Sequence, residues 1–141
     1  ADLGAAPAAY GEFWRLWKEG RFFECHEVLE ILWRQTPGLE RWFYNGLIHC
    51  AVARYQAKRC MSRGAARQFL RAQLKLATFE PRYGGIDIVA LIEYLRREMA
   101  PSLAMQSDIE SGQLKELRQM LQKKMIGHFP SGRYEGKWED W

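Results

Sequence analysis

Apolar side chains recur at every third or fourth position in one segment after another, which is the period of an α-helix. Tyr10, Phe13, Trp14 and Trp17 follow Pro7 at the i, i+3, i+4, i+7 spacing and predict a first helix over about 7–19, ended by Gly20. The chain then turns directly into a second helix, Phe22 to Arg34, with Val28, Leu29, Leu32 and Trp33 as its apolar stripe. Thr36 is placed to cap a third helix over about 37–60, and Pro37 to occupy its first position. Phe43, Gly46, Leu47, Cys50 and Ala51 give that helix a face of alternating bulk on which another helix can approach closely.

A fourth helix over about 63–79 turns Ala66, Phe69, Leu70, Leu74 and Ala77 inward, and Pro81 with Gly84-Gly85 closes it in a turn. Asp87 caps a fifth, whose stripe of Ile88, Leu91, Ile92, Leu95 and Met99 runs until Pro101 stops it. Leu114, Leu117 and Leu121 predict a sixth over about 111–126, after which the period is lost. No useful alternating strand pattern and no internal repeat occurs. The fold class is therefore all-α: a compact bundle of five or six helices in one domain over 1–126, with an irregular aromatic tail over 127–141.

Composition agrees with a chain that folds around large rings: 141 residues, 48% hydrophobic and 13% aromatic, with six Trp. No run approaches the roughly 18 apolar residues of a membrane span. Ala1-Asp2-Leu3-Gly4 also lacks the basic start of a signal peptide. A soluble cytoplasmic protein with no membrane partner is expected. Cys25, Cys50 and Cys60 lack the close spacing of zinc knuckles and are odd in number, so reduced thiols are expected.

Candidate chemistry gathers on the second helix. Glu24, Glu27 and Glu30 recur every three residues, and His26 with Glu30, four apart, shares one face. The structural reading has these groups hydrogen-bonded to indole, backbone or arginine, fixing how the first three helices pack. The chemical reading has Glu27 or Glu30 as a general base and His26 as an acid, their pKa values tuned by neighbouring rings. Asn45, His49 and Gln56 line a polar face of the third helix, and Asn45 and His49 are candidate ligand contacts. His26, Glu30 and His49 are too few and too unlike the known motifs to predict a metal, and no cofactor fingerprint is present.

The net charge of +4 conceals a division. Residues 54–82 are basic and 1–53 mildly acidic, and Arg63, Arg67, Arg71 and Lys75, spaced by four, predict a basic side on the fourth helix. That side suits a polyanion such as RNA. It lacks the interleaved aromatics of a base-stacking surface, and the acidic half opposes it, so a solvated face is favoured over nucleic-acid binding.

The run Gly20-Arg21-Phe22-Phe23-Glu24-Cys25-His26-Glu27-Val28-Leu29-Glu30-Ile31-Leu32-Trp33, with Asn45-Gly46-Leu47-Ile48, Ala51 and Ala53 after it and then Gly64-Ala65 and Gly85-Ile86-Asp87, resembles an uncharacterised prokaryotic family catalogued as domain of unknown function 309. The likeness covers about 10–99. It implies a small helical bundle and no particular activity. Asn45 stands where that family often has Gln, and Tyr55 where many members have His, so a metal site relying on a histidine at 55 is not implied here. The expectation is a partner- or ligand-binding module with a mainly structural His/Glu cluster. Its alternatives are an enzyme using His26, Glu27 and Glu30, and a polyanion binder; the partner is a small ligand or a protein, and homo-oligomerisation is left open.

Overall fold

Gly20 takes a left-handed φ of +75° and ends α1 (Ala8–Lys18), with Gly20 N donating to Trp17 O and Arg21 N to Leu16 O, each at 3.0 Å. The computed structural model describes residues 7–105 and residue 119. After α1 come α2 (Phe22–Gln35), α3 (Gly38–Lys58), α4 (Ser62–Leu76), a 3-10 turn (Ala77–Phe79), a small hairpin of β1 (Arg82–Tyr83) and β2 (Ile86–Asp87), and α5 (Ile88–Met105). The all-α class holds, with five helices among the described residues.

The bundle is built around α3. Every residue from Arg41 to Ala53 is buried, because the helix is covered by α2 and α4 and also touched by α5. Its approach to α4 depends on Gly46, where an added Cβ would stand 2.7 Å from Leu76 Cδ2. Phe13, Leu29, Phe43, Leu47, Phe69, Leu95 and Met99 fill the centre. On α1, Phe13 and Leu16 reach this core, while Trp14 and Trp17 lie along its edge, half-buried.

Three features differ from the sequence expectations. The strands are two residues each, paired Arg82 with Asp87 and Tyr83 with Ile86, too short to leave an alternating pattern. Gly84 and Gly85, at φ +61° and +77°, make the turn, as a two-residue hairpin loop requires. Thr36 caps nothing in α3; its hydroxyl donates to Leu32 O at 2.7 Å and closes the end of α2. Pro101 does not stop α5, which continues to Met105. The proline ring is exposed, and Met99 and Ser102, buried on either side of it, hold the helix to the core despite the lost backbone donor.

Asp87 behaves as expected: its Oδ1 accepts from Ala90 N at 2.9 Å at the start of α5. The sixth helix expected over 111–126 and the tail over 127–141 lie outside the described residues. No helix among the described residues is long and apolar enough to cross a membrane.

Candidate functional site

Between α2 and α3 lies an open groove of about 400 Å³ lined by Phe23, His26, Glu27, Glu30, Val52, Tyr55 and Gln56. The three candidates of α2 therefore share one concavity. His26 Nδ1 lies 2.8 Å from its own helix's Phe23 O. A carbonyl only accepts, so Nδ1 carries hydrogen there, and the ring is oriented with Nε2 3.4 Å from Glu30 Oε2. The other Glu30 oxygen accepts from Arg34 at 2.5 Å. Side-chain exposures of 12% for His26 and 16% for Glu30, against 65% for Arg34, place the pair at the groove wall and its cation in solvent.

The rings of Phe23 and Tyr55, 5.2 Å apart between centroids, span from α2 to α3. Glu27 is exposed. The groove thus combines two carboxylates, an oriented imidazole and two aromatic rings. It can accept hydrogen bonds from a ligand, shelter an apolar group and exchange a proton through His26.

Tyr55 was not among the candidates derived from sequence, and Gln56 was only one of three polar positions on α3. The available signal was the i, i+3, i+4 spacing of Val52, Tyr55 and Gln56, which puts all three toward the same end of the helix. Gln56 also packs across α4, where a Cβ on Gly64 would meet its Oε1 at 2.6 Å.

Asn45 and His49 do not reach this groove. Both are buried against α4, Asn45 at 1% and His49 at 0% exposure. They form a chain of polar groups with two residues of α4. The Lys75 ammonium donates to Asn45 Oδ1 and approaches His49 Nε2 at 2.8 Å, and His49 Nδ1 lies 2.5 Å from Gln68 Oε1. An ammonium has donors only, so Nε2 accepts and Nδ1 donates to Gln68. Burial, and next the Lys75 charge, hold the His49 pKa well below its ordinary value, so the ring is neutral. Lys75 also lies 5.1 Å over the Trp42 ring.

That placement revises the basic face of α4. Arg63 and Arg67 are exposed, Arg71 is half-buried, and Lys75 is fully enclosed. Each step of four residues advances about 40° beyond a full turn. From Arg63 to Lys75 the row therefore rotates by roughly 120°, from solvent into the core. Burial and Arg67 lower the Arg71 pKa, which agrees with its position midway.

Cys25 is a core side chain. Its Sγ donates to Phe13 O at 3.1 Å, and burial pushes the thiol pKa up to about 12. Among the described residues, no three or more His, Cys, Asp or Glu side chains are grouped so as to hold a metal ion.

Residues 10–68 match a family described as domain of unknown function (DUF309), the one that the segment around His26 resembles. The match ends earlier than the expected residue 99 and contains every lining residue of the groove. The Bacillus subtilis uncharacterized protein YpuF is 43% identical over 47 residues, which is 33% of this chain and 27% of that protein. An uncharacterized protein of Aquifex aeolicus is 30% identical over 80 residues, 56% of this chain and 24% of that protein. The chain spans about a quarter of the length of these curated relatives, whose names state no activity. No solved structure matches the chain.

Proposed function

We propose that this protein is a ligand-binding helical module and that the groove between α2 and α3 receives a small organic cation, an amine or guanidine carrying an apolar group. The observation that carries this reading is the meeting of Glu27, Glu30 and His26 with the rings of Phe23 and Tyr55 on one concave surface. Carboxylates attract the charge, and aromatic faces favour a cation beside them. A purely structural role for Glu30 accounts for less, because its Arg34 partner stands mostly in solvent, where ion pairs contribute little.

Calorimetric titration with benzylamine, against benzyl alcohol and benzoate of similar size, tests the proposal. Benzylamine should bind best, and joint Glu27→Gln and Glu30→Gln substitution should weaken it about tenfold or more, the scale of a lost charge-assisted hydrogen bond. Equal affinity of wild type and double variant, or preference for benzoate, would remove the proposal.

The His26 orientation favours a second reading, acid–base catalysis, in which Nε2 passes a proton between Glu30 and a bound substrate. Turnover that disappears in His26→Asn while benzylamine affinity persists would select it over binding alone. A polyanion role for α4 has weaker support, since the exposed charges reduce to Arg63, Arg67 and part of Arg71.

A further inference from the structure

A second concavity of about 490 Å³ opens on another side of the molecule, between α1, β2 and α5, and shares no lining residue with the first. Trp14, Trp17, Ile86, Leu91 and Tyr94 supply its apolar walls, with Lys18 on α1 and Asp87 at the start of α5. The aromatic part is continuous. Trp14 and Trp17 have centroids 5.7 Å apart at 64°, and Trp17 and Tyr94 lie 6.3 Å apart at 56°. These rings are half-buried at the edge of empty space, a shape suited to one more ring.

The charges on the lining are unusual for their neighbourhood. Arg15 is paired with Glu12 and Glu19, and Arg21 with Glu19 and Glu24. Lys18, between them in sequence, has no ion pair among the described residues, and neither has Asp87, whose carboxylate makes the cap to Ala90 N. Lys18 therefore puts a cationic donor on the α1 wall, and Asp87 a carboxylate acceptor on the wall formed by β2 and α5.

We propose that this cleft binds a free aromatic α-amino acid: its ring packs against Trp14, Trp17 and Tyr94, its carboxylate meets Lys18, and its ammonium meets Asp87. A zwitterion is the charge complement of such a lining. A purely cationic ligand would face Lys18 without compensation, and a purely anionic one would face Asp87. The volume is within the range of small-molecule pockets.

Calorimetry on the full chain with L-phenylalanine, phenethylamine and 3-phenylpropionate separates the contributions, because the analogues lack the carboxylate and the ammonium in turn. L-phenylalanine should bind at least about tenfold more tightly than either, as expected for one charge-assisted contact. Lys18→Gln, an exposed change, should weaken L-phenylalanine at least about tenfold and should not weaken phenethylamine, which loses an uncompensated like charge. Asp87→Asn, which keeps a capping side chain, should do the same relative to 3-phenylpropionate. Intrinsic tryptophan emission should change on binding in wild type, and Trp14→Phe should diminish that change. Failure of phenylalanine, tyrosine and tryptophan to bind the folded wild type would overturn the proposal. So would equal affinity of the three probes, which would mean that the cleft selects apolar surface only, or unchanged L-phenylalanine affinity in Lys18→Gln.

Discussion

His49 Nε2 accepts from the Lys75 ammonium across 2.8 Å, with both side chains completely enclosed between α3 and α4. Burying this pair ties the stability of the bundle to pH. The folded pKa of His49 lies below its ordinary 6.5, so the unfolded chain takes up the proton first as the pH falls. The His49 contribution is fully present above about pH 6.5 and declines below it, by up to about 1.4 kcal/mol per pH unit. Urea melts at pH 7.5 and pH 5.5, both above the ordinary titration of carboxylates near 4, should show this loss. The His49→Gln variant should have a shallower dependence over the same interval.

Lys75 and Arg67 are both basic residues of α4, and reversing their charge should have opposite consequences. Arg67→Glu changes an exposed position and should move the unfolding free energy by no more than about 0.5 kcal/mol. Lys75→Glu puts a carboxylate beside Asn45 Oδ1 in the core and should cost about 3–5 kcal/mol or prevent folding. Circular dichroism melts of the two variants compare them directly.

Gly46→Ala raises intrinsic helix propensity by about 1 kcal/mol. The new methyl would nevertheless stand 2.7 Å from Leu76 Cδ2 and 2.9 Å from Cγ. Overpacking of this kind costs about 1–3 kcal/mol, so the net change should be destabilising. Combining Gly46→Ala with Leu76→Ala should cost less than the sum of the single changes, which a double-mutant cycle measures.

Thiol labelling should be selective. Cys60 is exposed, whereas Cys25 and Cys50 are buried, and burial raises both of their pKa values. Iodoacetamide at neutral pH should modify Cys60 alone in the folded protein and all three thiols in denaturant, as counted by mass spectrometry.

The phenolic hydroxyl of Tyr10 donates to Gly84 O at 2.5 Å and fastens the hairpin to α1. Tyr10→Phe should lose about 1 kcal/mol, and hydrogen exchange in β1 and β2 should rise more than in α3.

By itself the sequence determined the helical class and most helix limits, because period and punctuation are local properties. Gly20 ends α1 since its left-handed φ is easily reached only without a Cβ, and Asp87 starts α5 since its carboxylate reaches a nearby backbone donor. The sharing of one face by His26 and Glu30 was equally legible, being a matter of four residues on one helix. Only the tertiary structure decided what each face meets. Asn45 and His49, legible only as a polar face of α3, went to Gln68 and Lys75 of α4, because Gly46 lets α4 close on that side of α3. Lys75 entered the core because a row of four-residue steps winds around its helix, and where the winding crosses from solvent to interior depends on the neighbour packed against it. Tyr55 joined the His26 groove, and Trp14 and Trp17 became the wall of a cleft, for the same reason. A repeat of apolar residues specifies that a helix has an inside, and the partner helix specifies where that inside ends.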